Sequence, residues 1–136
     1  MRLTIIILLF QMVSCAQNIN GKWKLISYED EKMYYNVQND SISPKDYWDE
    51  DDEMPIILKK AFKDTSIEFT ENKRFIMKSH IVGHKNSKFK FDTENKLIIL
   101  DELDINNEKI FYQYNLLSDI FILNLTDDII LKFRRN

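Results

Sequence analysis

From residue 22 onward, apolar and polar residues alternate in short runs rich in Ile, Phe and Tyr, separated by polar clusters. A period of two predicts antiparallel strands. The runs fall at 22–28, 66–70, 74–81, 88–92, 96–101, 109–116, 120–126 and 129–134. Alternation is cleanest where Phe89 and Phe91 sit among Lys88, Lys90 and Asp92, and where Ile129, Leu131 and Phe133 alternate with Lys132 and Arg134. Phe75 and Met77 share parity, as do Ile110, Tyr112, Tyr114 and Leu116, so each strand offers one apolar face to a common interior. Eight strands suffice to close a small barrel. The expected fold is therefore all-β, an antiparallel up-and-down barrel of about eight strands.

The breaks between runs read as tight hairpins. They are 71–73, 93–95, 105–107, 117–119 and 127–128, rich in Asn and Asp. Gly21 and Gly83 are the only glycines, so the left-handed turn positions are expected to fall on Asn and Asp. The runs Leu97-Ile98-Ile99-Leu100 and Asp128-Ile129-Ile130-Leu131 are apolar on both faces, which predicts a cover over the outside or a second copy packed there. Monomer and homodimer both stay open.

Residues 29–64 break the rhythm. They hold eleven acidic residues against five lysines, with the aromatics Tyr34, Tyr35, Tyr47 and Trp48. Pro55 opens 56–63, where proline in the first turn, acids before it and lysines at the end predict one short helix. A connection this long in a small domain is usually functional. The expectation is a loop plus one helix across a barrel mouth, with the four aromatics as lid candidates.

The first fourteen residues differ in kind. Arg2 is their only charge, and a nearly unbroken apolar run from Leu3 to Val13 ends at Ser14. A spanning helix needs roughly 20 apolar residues, so this shorter run reads as a secretory signal. Met12-Val13-Ser14-Cys15 resembles the lipobox of bacterial lipoproteins, with Met12 where leucine is usual. The resemblance implies a signal peptide at 1–14, lipidation of Cys15 and a tether over 15–20. Cys15 is the only cysteine, so no disulfide can form within the chain. Ala16, in place of an aspartate, implies outer-membrane sorting, and the uncharged 16–20 implies the periplasmic face.

The formal charge is −3, and removing a leader that carries Arg2 leaves −4. Lysines are scattered among acids, without the clustered basic face that tracks nucleic-acid phosphates, so no nucleic-acid partner is expected.

Asn20-Gly21-Lys22-Trp23 at the start of the first strand resembles the Gly-x-Trp signature of lipocalins and bacterial lipocalin-like domains. Residues 112–123, a strand ending in Leu117-Ser118-Asp119 before an apolar strand, resemble that family's late hairpin. The family's Thr-Asp-Tyr loop motif is missing, and the insert after the first strand is longer and more charged than a simple lid loop. The resemblance implies a lipocalin-like barrel over 21–136. Gly21 and Trp23 would close its base, with Arg134 or Arg135 over the indole, where a cation adds roughly 0.5–2 kcal/mol.

Inward candidates for a ligand cup are Phe69, Phe75, Met77, Phe89, Phe91, Tyr112 and Tyr114, which would suit a small, lipid-like hydrophobic molecule. The competing reading is a filled core. It leaves a non-enzymatic interaction lipoprotein, of inhibitor, immunity or envelope-assembly type, docking a basic protein partner on the acidic insert. His80 and His84 have no third ligand of evident spacing, and 49–53 lacks the spacing of a calcium loop, so neither metal nor other cofactor is expected. No nucleophile elbow, phosphate loop or zinc helix occurs, so no enzyme is expected.

Overall fold

A computed structural model describes residues 18–45, 53–80 and 83–136. Residues 1–14, on which the signal-peptide expectation falls, Cys15, Tyr47, Trp48 and the acidic stretch 49–52 lie outside the described residues. The elements are β1 (Gly21–Glu29), β2 (Met33–Asn36), β3 (Ser41–Pro44), α1 (Met54–Phe62), β4 (Ser66–Phe69), β5 (Arg74–Lys78), β6 (Lys85–Asp92), β7 (Leu97–Leu103), β8 (Lys109–Leu117), β9 (Ile120–Asn124) and β10 (Ile130–Arg135).

Strands β4 to β10 form a meander of antiparallel neighbours, and β1 joins its two ends, pairing with β4 on one side and β10 on the other. The sheet thus closes into an eight-stranded barrel, the fold class expected from the alternation, with one short helix in the insert. Pairing continues round the ring from Trp23↔Ile67 and Ile67↔Met77 to Leu123↔Leu131 and Leu25↔Phe133. Directly opposed residues share a face, so these pairs stack apolar side chains inside. Trp23, Phe69, Phe75, Phe121, Phe133, Met77, Ile98 and Leu100 are all fully buried. Each such side chain stabilises the fold by roughly 1.5–3 kcal/mol relative to its exposed state.

β1 is the branch point. A bulge between Leu25 and Ser27 in its pairing with β10 lets the strand change partners on its other edge. Residues Gly21–Lys24 pair with β4, whereas Ser27–Glu29 pair with β2. The Leu25 amide donates to Thr65 O at 3.1 Å, and the Val37 amide to Ile26 O at 2.9 Å, so the switch leaves both backbone groups paired.

The insert differs from the expected loop plus helix, because β2 and β3 form a hairpin that extends the sheet beside β1. Met33 and Tyr35 alternate inward with Tyr34 between them, and Asp40 takes the left-handed turn position at φ 53°. Four residues of alternation ending in Pro44 are too short a signal to stand out within an acid-rich segment. Helix α1 begins one turn ahead of the lysines, as the Pro55 and lysine placement predicts, and buries Phe62.

The turns correct a second expectation. Left-handed backbone falls on Asp40 and Asn107, but also on Lys73 and Lys96, each the last residue of a four-residue connection, and on Ser118, the first of a two-residue one. The geometry of a tight hairpin sets φ > 0 at such a position whatever residue stands there. At Gly21, φ is +116°, and an added Cβ would lie 3.9 Å from the Arg135 guanidinium, an ordinary contact. Backbone conformation, not space, therefore calls for glycine at the start of β1.

Candidate functional site

At the base of the barrel, where β1 starts and β10 ends, Trp23 is fully buried and the Arg135 guanidinium lies 4.3 Å from its ring centroid. The indole N–H donates to Ile19 O at 2.9 Å. Arg135 donates to Asn20 O at 2.8 Å and also to Asn18 O. Three hydrogen bonds thus fold residues 18–20 under the barrel floor. Arg134, the neighbouring candidate, faces outward instead, with its Nε 3.7 Å from Asp119. Alternation puts only one of two adjacent arginines on the tryptophan.

The seven cup candidates do share the interior, but they meet one another. Phe69 contacts Phe75, Phe89, Phe91 and Phe121 with ring centroids 5.3–5.8 Å apart. Phe89 and Phe91 are edge to face at 5.2 Å, and Phe91 and Tyr114 at 4.9 Å. Phe121 in turn reaches Trp23 at 5.7 Å, so one aromatic chain runs from the base into the barrel. Phe69, Phe75 and Met77 are fully buried, Tyr112 nearly so, and Phe89, Phe91 and Tyr114 partly. Ring pairs at these distances add about 0.5–1.5 kcal/mol beyond the area they bury.

Towards the opposite end the inner face turns polar. Lys85 opposes Met77, and Glu102 continues the inward parity of Ile98 and Leu100; their side chains approach to 3.6 Å. Burial and the Glu102 charge push the Tyr112 hydroxyl up to about 12. Sequence reasoning missed Lys85, Ser87 and Glu102 because it started β6 at 88 and ended β7 at 101. The parity of Phe89 carried two and four residues back would have found Ser87 and Lys85, and that of Leu100 carried two residues on would have found Glu102.

Of the lid candidates, Tyr35 is buried, donates its hydroxyl to Asp40 at 2.8 Å and lies 6.2 Å from the Phe62 ring. Tyr34 is half-buried on the other face of β2. Phe62, another residue the sequence did not single out, packs on Tyr28 at 4.2 Å. Tyr28 in turn donates to Asp30 Oδ2 at 2.6 Å, and Asp30 Oδ1 accepts the amides of Lys32 and Met33 at 2.8 and 2.9 Å. Burial disfavours the Asp30 carboxylate, but the Tyr28 and backbone donors and the nearby Lys45 outweigh it, and its pKa falls below the usual aspartate range.

A lowered folded pKa contributes stability above the unfolded value near 4, lost as pH falls through the folded value. Asp30→Asn is therefore expected to lose stability at neutral pH and to show a flatter acid limb. Urea midpoints at neutral pH and at about pH 3 read this out. An unchanged difference between the two pH values would refute it.

Among the described residues no three His, Cys, Asp or Glu side chains gather as a metal site, and the His80 and His84 rings stand 6.2 Å apart. No described helix is long and apolar enough to cross a membrane. A groove of about 370 Å³ is lined by Lys24, Ile26, Val37, Gln38, Lys63 and Arg134, with Leu25, Arg135 and Asn136. No protein-family model, curated protein or solved structure matches the chain.

Proposed function

We propose that this chain is a bacterial lipoprotein, tethered through Cys15 to the periplasmic face of the outer membrane, whose lipocalin-like barrel is a rigid scaffold for binding another protein. The observation that supports a scaffold is the continuous ring packing from Trp23 through Phe121 and Phe69 to Phe89, Phe91 and Tyr114. A ligand in that half of the barrel would have to displace rings already in contact. Binding then falls to the insert, whose acid excess selects a basic partner and predicts affinity that drops as salt rises. The role is binding without chemistry: an inhibitor, immunity or envelope-assembly function.

A second reading keeps a small hydrophobic molecule in the barrel. Partial exposure of Phe89, Phe91 and Tyr114, and the Lys85 and Glu102 pair at the far end as polar handles, favour it. Both readings share the anchor and the Gly-x-Trp base.

Native mass spectrometry of the protein purified from membranes separates them. The expected mass is that of the chain from Cys15 onward carrying acyl groups and nothing else, and Cys15→Ala abolishes the acyl mass and palmitate labelling. A co-purified lipid that survives desalting would favour the ligand reading. A membrane-purified chain with an unmodified Cys15 would overturn the anchor.

A further inference from the structure

The groove of about 370 Å³ gathers basic residues on an acidic molecule. Lys24 on β1 and Arg134 on β10 are cross-strand partners on the outer face, and Lys63 follows α1 on the opposite wall. All three are exposed. Among the described residues Lys24 and Lys63 form no ion pair, and Arg134 has only Asp119 at 3.7 Å. Lys132, two residues before Arg134 on the same face, extends the patch without an ion pair. Ile26 and Val37 give the groove an apolar floor. Asp64 beside Lys63, Glu68 opposite Lys22 and Asp119 beside Arg134 are acids that border it.

The same groove adjoins the place where the chain enters the barrel. Arg135, one of its walls, holds the carbonyls of Asn18 and Asn20. Two residues separate Cys15 from Asn18, and the three steps between them reach at most about 10 Å. A lipid on Cys15 therefore keeps Asn18, and the Arg135 wall that holds it, within about one Debye length of the bilayer surface.

We propose that the groove seats the phosphate headgroups of anionic lipids in the bilayer that anchors the chain, so that the face of Lys24, Lys63 and Arg134 lies against the membrane. This rests on Cys15 being the anchor, as proposed above. It leaves the turn between β9 and β10 free in the aqueous phase, and net negative charge elsewhere resists other orientations. Each basic residue near an anionic surface favours the docked state roughly fivefold, so the three together contribute on the order of 100-fold.

The test uses the membrane-purified lipidated chain carrying Gln38→Cys, on the groove rim, or Asp127→Cys, in the β9–β10 turn. Each is labelled with a thiol fluorophore in vesicles of phosphatidylcholine with or without phosphatidylglycerol, and quenched with acrylamide from the aqueous side. Expected is protection of the Gln38→Cys label only where phosphatidylglycerol is present. High salt and the triple variant Lys24→Glu, Lys63→Glu, Arg134→Glu remove that protection, its neutral Gln counterpart removes part of it, and the Asp127→Cys label stays open throughout. Membrane-bound protein whose Gln38→Cys label is equally open in both vesicles overturns the docking and leaves the anchor standing. Protein that sediments with phosphatidylglycerol vesicles but not neutral ones supports the docking and overturns the anchor. Protein that sediments with neither overturns both.

Discussion

Replacing Trp23 with alanine is expected to lower the unfolding free energy by about 3–5 kcal/mol, the range for removing a fully buried large aromatic. The indole is completely enclosed, contacts Phe121, lies under Arg135 and donates to Ile19 O, so its loss leaves a cavity and frees two polar partners. Its position makes the effect larger than one cavity. Trp23 opposes Ile67 on β4 and Arg135 on β10, the two seams at which β1 closes the barrel. Urea unfolding reads the change, since a lower midpoint with an unchanged slope reports stability alone. Arg135→Ala should cost less, roughly 0.5–2 kcal/mol for the lost cation contact, while releasing residues 18–20. A Trp23→Ala protein that melts with the parent would mean the base is not where this barrel is closed.

Alternation exposed the barrel because it is a property of each strand alone. Every run read from residues 66 to 134 lies on a strand, with ends moved by a few residues. β5 stops at Lys78 and β6 begins at Lys85, since both are set by partners that no single strand displays. The insert was harder to read for a related reason. Met33, Tyr35 and Phe62 bury only because β1 changes partners at a bulge, which is a feature of pairing. Arg135 over Trp23 was legible as one of two candidates, and parity fixed which. The groove of Lys24, Lys63 and Arg134 joins residues far apart in the chain, each of which reads as an ordinary solvated charge. Scattered lysines exclude a basic run in the sequence, but they do not exclude a basic patch on the folded surface.

Within the insert, helix α1 is tied to β1 and to the hairpin by one ring. Phe62 is fully buried at the end of α1, 4.2 Å from the Tyr28 ring and 6.2 Å from that of Tyr35, and so touches both β1 and the hairpin. The hairpin has its own pairing with β1 and its buried Met33 and Tyr35, whereas the ion pairs that the insert makes are weak. The Lys59 and Asp40 ion pair at 3.5 Å and the Lys45 and Glu29 pair at 2.6 Å join exposed side chains, worth at most about 1 kcal/mol each. Phe62→Ala is therefore expected to free the helix while the hairpin stays on β1 and the barrel stays closed. Amide exchange in α1 should accelerate on the order of 100-fold, as a loss of roughly 3 kcal/mol from a local opening requires. Exchange in β5 through β9 should hold, because those strands pair only with one another and with the closing strands. Uniform acceleration across all strands would show that insert and barrel unfold as one unit. No acceleration would show that Phe62 does not seat the helix.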